Sequence, residues 1–255
     1  MSINLALILS ILTFVSGIVV AFNHFYYKNK TVAAGGYGNH AINTVIEYSR
    51  SFFPVLLFVL VIRSFIFEPF RIPSGSMIPT LLQGDYIFVK KYSYGLRWPV
   101  IETKFYGSGL PQRGDVVVFR LPSDPNVNYI KRVIGLPGDT IVYQEHQLTV
   151  NGQLMPLSKH PDTPLQESGL IFVENLGGRE HDIRVSRPGS RSTEGTYTVA
   201  EGHYFMMGDN RDNSQDSRFI DAIPETHLVG KAVRIWMHMD GLEWPQWSRI
   251  GTKIQ

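Results

Sequence analysis

Residues Ile3 to Phe22 are apolar without a single charged side chain, broken only by Asn4, Ser10, Thr13, Ser16 and Gly17. A helix rises about 1.5 Å per residue, so a stretch of this length reaches roughly 30 Å, the depth of a bilayer's hydrocarbon core. A cleavable leader is the competing reading, and it calls for a positive start, a shorter apolar core and a small-x-small exit. Nothing before Phe22 is charged except the amino terminus, and the segment leaves through Ala21-Phe22-Asn23-His24. Residues 1–22 therefore read as an uncleaved transmembrane helix. A second apolar block runs from Phe52 to Phe67. Its uncharged part stops at Ile62, and Arg63 follows where its long side chain can snorkel to the interface. Pro54 suits a first helical turn and Pro69 ends the pattern. Residues 52–67 read as a second transmembrane helix, with a buried core helix as the alternative.

Orientation follows from the lysines and arginines in the short flanks. Residues 23–51 carry Lys28, Lys30 and Arg50, whereas the amino-terminal flank has none. The connecting segment is therefore expected to be a cytoplasmic loop, with both ends of the chain outside, against the single opposing charge of Arg71. Residues 68–255 become an extracytoplasmic domain. The formal net charge of +2, from 24 Lys+Arg against 22 Asp+Glu with no basic run, argues against a nucleic-acid partner. Cysteine is absent, which removes disulfides, a thiol nucleophile and cysteine-ligated metal together.

After Pro69 helical periodicity gives way to short β-branched and aromatic runs. They include Tyr86–Val89, Val116–Phe119, Tyr129–Ile134, Thr140–Tyr143, Leu148–Val150, Leu170–Val173, Tyr197–Val199, Tyr204–Met207 and Lys231–Trp236. Gly-Asp pairs at 84–85, 114–115, 138–139 and 208–209 punctuate them, and Asn151-Gly152 marks a tight turn. This spacing predicts a mainly β domain, a sandwich or folded antiparallel sheet. The Pro-, Gly-, Ser- and Arg-rich stretch from Met155 to Gly195 is expected to be loops or an irregular insertion.

Three segments in this domain are dense in chemistry. Pro73-Ser74-Gly75-Ser76-Met77-Ile78-Pro79 is a stiff turn able to present a hydroxyl and free backbone N–H groups, or else a plain linker leaving the membrane. In Tyr129-Ile130-Lys131-Arg132-Val133-Ile134, strand alternation puts Lys131 on a face with Tyr129 and Val133, and Arg132 on the other. A lysine on such a face loses hydration; lowering its pKa from about 10.4 to roughly 8 costs about 3 kcal/mol. The alternative is a solvated lysine guarding an edge strand. The third segment, Gly208 to Arg218, gathers acids, arginines and small polar residues. As a calcium loop it would need a ligand where Arg211 stands and a glycine where Ser214 stands. The histidines are scattered, with no His-Glu-x-x-His, and neither Gly-x-Ser-x-Gly nor a Ser-x-x-Lys at Ser76 occurs.

In this order, with Gly-Asp-Tyr-Ile-Phe-Val at 84–89 and Arg-Gly-Asp-Val-Val-Val-Phe at 113–119 between the first two, these segments resemble the bacterial type I signal peptidases (leader peptidases), Ser-Lys proteases of the inner membrane. The resemblance covers most of the chain and implies two membrane helices, then a folded antiparallel β-sheet catalytic domain with a β insertion at about 140–203. It makes Ser76 the nucleophile and Lys131 its general base, with the Ser76 N–H and the Ser74 hydroxyl as oxyanion donors. Ser214 is expected to hydrogen-bond the Lys131 amine. Asp216 and Arg218 are expected to pair and hold the loop, with Asp209 and Arg211 in similar support. Phe70, Ile72, Met77, Leu81, Tyr129 and Ile130 are assigned to shallow pockets for small side chains one and three positions before the cut. The implied partners are secretory preproteins and the phospholipid membrane, with the catalytic domain on the periplasmic side and no metal or organic cofactor. Two other readings remain open at this point: a Ser-Lys self-cleaving repressor-type peptidase, which is soluble and DNA-linked, and a membrane-anchored β-module that binds peptides without cutting them.

Overall fold

The computed structural model describes residues 5–27, 40–98, 103–107, 109–160, 169–186, 193–239, 241 and 244–255. Two compact units divide the chain: Met1–Glu68 with Gly95–Gly107, and Pro69–Tyr94 with Ser108–Gln255.

The first unit is built on two helices, α1 (Leu5–Phe22) and α2 (His40–Val61), each running on into a short π-helical turn, Asn23–Tyr27 and Ile62–Ile66. By length and composition both can cross a membrane. Two of the polar breaks in α1 satisfy themselves locally: Thr13 Oγ1 donates to Leu9 O at 2.7 Å and Ser16 Oγ to Leu12 O at 2.6 Å, as hydroxyls do where no water is available. Gly17 lets the helices approach, since a Cβ there would stand 2.9 Å from the Phe53 ring. The second helix starts at His40, inside the stretch read as a loop, because a helix need not begin where its apolar part begins. Lys28 and Lys30, which carry the orientation argument, lie outside the described residues. The unit also holds the small hairpin β3 (Leu96–Arg97) and β4 (Lys104–Tyr106), whose Phe105 stacks on Trp98 and meets Phe65 edge-on. The remaining strands are β1 (Phe67–Arg71), β2 (Asp85–Lys90), β5 (Val116–Leu121), β6 (Asp124–Gly135), β7 (Thr140–Gln144), β8 (Gln147–Val150) and β9 (Gln153–Leu154). They continue with β10 (Leu157–Lys159), β11 (Leu170–Asn175), β12 (Glu180–Val185), β13 (Gly195–Thr198), β14 (His203–Met207), β15 (Ile223–Pro224) and β16 (Leu228–His238).

The main sheet runs β1-β2-β16-β5-β6-β14-β15. The fold is thus mainly antiparallel β-sheet preceded by two apolar helices. Val116 and Val118 enter one buried cluster with Ile72, Met77, Leu81 and Ile130, while Val117 and Phe119 enter another with Val133 and Met206. Cover on both faces explains why β5 reads as an unbroken apolar run. The Gly-Asp pairs at 84–85 and 114–115 make one recurring turn. Glycine adopts a φ of 86° in each, and the aspartate accepts an N–H three residues back, Asp85 from Leu82 at 2.8 Å and Asp115 from Gln112 at 3.1 Å.

Residues 140–198 form two small sheets, β13-β7-β8-β9 and β10-β11-β12. The stretch expected to be irregular thus holds a regular hairpin, β11–β12, in register from Leu170↔Val185 to Asn175↔Glu180. Residues 161–168 and 187–192 lie outside the described part. The insertion closes a third cluster in which Ile141, Tyr143 and Leu148 pack on Ile134 and Phe205. Ile134 is fully buried in it. Replacing it with alanine should cost about 2–5 kcal/mol, readable as a lowered denaturation midpoint of the detergent-solubilised chain.

Candidate active site

Ser76 sits in a tight turn between Ile72 and Leu81, tied down by backbone bonds from Ile78 N to Gly75 O (3.2 Å) and Leu81 N to Met77 O (2.9 Å). Its anchors are apolar: Ile72, Met77 and Leu81 are buried in the main core, so the turn cannot lift without exposing them. Lys131 comes from β6, paired with Val117 of β5. Its Nζ donates to Ser76 Oγ at 2.7 Å, and both residues are buried. Ser74 Oγ lies 3.4 Å from Ser76 Oγ, on the exposed side. The Tyr129 ring, on the same face of β6, is centred 5.3 Å from the ammonium.

Burial lowers the Lys131 pKa to about 8, against the attraction of Asp216 and Asp209, while Arg218 pushes the same way as burial. Close to neutral pH a fraction of the amine is therefore unprotonated and able to take a proton from Ser76. Both carboxylates are buried, which by itself would raise them. Asp209 is instead held ionised by Arg132, whose Nε and Nη2 reach it at 2.8 and 2.7 Å, with Thr80 Oγ1 as a further donor. Asp216 is held ionised by Arg218, whose Nε and Nη2 each lie at 2.8 Å, and by Gly208 N at 3.0 Å. Asp216 also caps the short helix α3 (Ser217–Ile220).

The expected Asp216–Arg218 pair is present, but Asp209 and Arg211 each find a partner elsewhere. Asp209 takes Arg132, and Arg211 makes a bidentate bridge to Glu174 of β11 at 2.7 and 2.5 Å. A guanidinium fork meets a carboxylate best end-on, and the partners come from β6 and β11 on either side of the loop's own residues. Ser214 departs from expectation as well: its buried Oγ makes no hydrogen bond to Lys131 and packs against Gly208. Gly208 is the one Gly-Asp glycine without a positive φ, and it is needed for space, since a Cβ there would meet Ser76 O at 2.5 Å. Of the six apolar residues assigned to substrate pockets, Ile72, Met77, Leu81 and Ile130 are core side chains beneath the turn, with Phe70 packed against them. Tyr129 belongs to a different cluster, beside Phe119.

Glu174 and Asn210 are members of the site that the motif reading passed over. A lone carboxylate in the run Leu170-Ile171-Phe172-Val173-Glu174 was the available sign of the first. It is fully buried, and Arg211 and His181 overcome the cost of burial to hold it well below the usual carboxylate range.

Residues 45–237 match the family model described as "Signal peptidase, peptidase S26". The chain belongs to this signal peptidase family. It is 49% identical to the signal peptidase I of Pseudomonas fluorescens over 230 residues, 81% of this chain and 78% of that one. It is also 49% identical to that of Pseudomonas aeruginosa over 228 residues, 82% and 79% of the two chains. The signal peptidase I of Buchnera aphidicola (Acyrthosiphon pisum) matches 96% of each chain at 35% identity. The protein is accordingly a peptidase of the signal-peptide-removing class, acting on preproteins that carry signal peptides. In the folded chain the Lys131 amine should titrate near pH 8, and Asp216→Asn, which removes an attracting carboxylate, should move that midpoint lower. Nitrogen-15 NMR of lysine-labelled protein in micelles reads both.

Proposed function

We propose that this signal peptidase cuts by a Ser76–Lys131 dyad through an acyl-enzyme, anchored in the bacterial inner membrane by α1 and α2 with its catalytic unit on the periplasmic side. The 2.7 Å contact between a buried lysine amine and a buried serine hydroxyl carries the reading. With the amine neutral, that contact reverses and the Ser76 hydroxyl donates to the nitrogen lone pair. The amine takes the proton as Oγ attacks the scissile carbonyl, then returns it to the leaving amine. Water, deprotonated by the same amine, releases the acyl group. The developing oxyanion is met by the Ser76 N–H and the Ser74 hydroxyl, each such donor being worth about 100- to 1000-fold in rate. Asp209, Asp216 and Arg218 act on the base through their charges, and Arg211 ties their loop to Glu174.

The substrate lies extended beside Ser76, its main chain adding a strand to a free sheet edge. Sites of small-x-small type, Ala-x-Ala above all, suit a turn seated on Ile72, Met77, Leu81 and Ile130, with Phe70 packed against them. Neither metal nor nucleic acid enters the reaction.

A purified precursor with an Ala-x-Ala site, incubated with the full chain in detergent, should be cut after the second alanine. Ser76→Ala and Lys131→Ala should both be inactive while remaining folded. Substantial cleavage by the Lys131 variant would move the base elsewhere and overturn the dyad. Activity should also rise with pH through about 8, because only the unprotonated amine accepts the proton. A rate profile flat between pH 6 and 9 speaks against Lys131 as base.

A further inference from the structure

The two carbonyls flanking the Ser76 N–H are both held by one residue. Asn210 Nδ2 donates to Gly75 O at 2.9 Å, and the Asn210 main-chain N–H donates to Ser76 O at 3.1 Å. Gly75 O and the Ser76 N–H belong to the same peptide unit. That unit is planar and trans, so its oxygen and its hydrogen point in opposite directions. A donor gripping the oxygen on one side therefore aims the N–H on the other. It also polarises the unit, and a polarised amide is a stronger hydrogen-bond donor. Ile78 N reaches the same oxygen at 3.2 Å, but it sits inside the turn and moves with it. Asn210 reaches in from outside and is buried, 3% exposed.

What fixes Asn210 is the insertion. Its chain neighbours are both locked in buried ion pairs, Asp209 to Arg132 of β6 and Arg211 to Glu174 of β11. Its backbone runs parallel to β12: Arg184 N donates to Asp209 O at 2.8 Å, and Arg211 N donates to Arg184 O at 2.9 Å. The β11–β12 hairpin is itself pinned to the main sheet through Arg179, whose Nη1 donates to Asp115 at 2.8 Å. A continuous set of hydrogen bonds thus leads from the insertion to the peptide bearing the oxyanion donor.

We propose that Asn210 is a positioning residue that aims the Ser76 N–H at the oxyanion through the Gly75–Ser76 peptide, and that the β11–β12 hairpin, acting through Glu174 and Arg211, holds Asn210 in register for that task. This rests on the Ser76–Lys131 reading above. The insertion is then a working part of the active site.

Steady-state kinetics of the full chain in detergent, with an Ala-x-Ala peptide, test it. Asn210→Ala should lower kcat by about 10- to 100-fold with KM unchanged, as for a misaimed catalytic donor. The rising limb of the pH profile should stay in place, because the amine of Lys131 is untouched. A peptide boronic acid, which forms a tetrahedral adduct on a serine hydroxyl, should lose affinity by the same factor as kcat/KM. Asn210→Asp keeps the volume but turns an oxygen toward Gly75 O, so it should be no better than alanine. Glu174→Gln should reduce kcat in the same way, and the double variant should be no worse than Asn210→Ala alone, since both act through one peptide. If Glu174→Gln does not fold, Glu174→Asp replaces it with the same expected outcome. A wild-type kcat in Asn210→Ala, or boronate affinity unchanged while kcat falls, overturns the role of Asn210. Losses that multiply in the double variant overturn the link to the insertion. Ser76→Ala and Lys131→Ala run in parallel keep the two readings apart: if either still cuts, the dyad fails, and if both are dead while Asn210→Ala is fully active, only the positioning role fails.

Discussion

Burying the Lys131 amine next to Ser76 is the condition to which the rest of the polar architecture answers. An ammonium in water is strongly hydrated and protonated at neutral pH, and so useless as a base. Taking it into β6 between two apolar clusters brings its pKa to about 8. The folded protein bears the consequence. Below pH 8 the amine is protonated in folded and unfolded chains alike, and its burial opposes folding by about 3 kcal/mol; the penalty fades as pH rises toward 10.5. The neighbouring carboxylates must therefore sit near enough to prevent the pKa from falling further, yet remain neutralised so that they do not restore it. Asp209 and Asp216 meet both demands by being locked to Arg132 and Arg218.

Those ion pairs are better understood as fixing arrangement than as adding stability. Desolvating a charged pair commonly cancels its attraction, whereas breaking one partner away leaves a stranded charge and is costly. Arg132, Arg211 and Arg218 are buried together with their carboxylates, so the 209–218 segment has few alternative placements. Tyr143 from β7 adds to this, its ring centred 5.2 Å from the Arg218 guanidinium and 5.9 Å from that of Arg211. The cluster makes the loop rigid at the point where rigidity serves chemistry.

Much of this was legible in the linear sequence, and for identifiable reasons. Alternation in residues 129–134 separated Lys131 from Arg132 correctly: one faces Ser76, the other Asp209. The runs around Val116 and Tyr204 marked strands because β-branched and aromatic residues between Gly-Asp turns leave little choice. What escaped was pairing across long separations. Glu174 and Arg211, 37 residues apart, meet only once β11 lies over the loop, and no local pattern records that. Ser214 was misjudged because proximity in a motif says nothing about which way a hydroxyl points. The start of α2 at His40 was missed because apolar composition marks where lipid could cover a helix and not where its hydrogen bonding begins.

The order of strands in the main sheet is not the order of the chain, and the difference falls between the two catalytic residues. The segment leading from Ser76 enters the sheet as β2, and Lys131 enters it on β6, next to β5. Between β2 and β5 lies β16, residues Leu228–His238, pairing with both. In the finished sheet β16 joins the two halves edge to edge, alongside the direct packing of the Ser76 turn on Ile130 of β6. The distance in sequence between the two catalytic residues is thus bridged in the sheet by its last long strand.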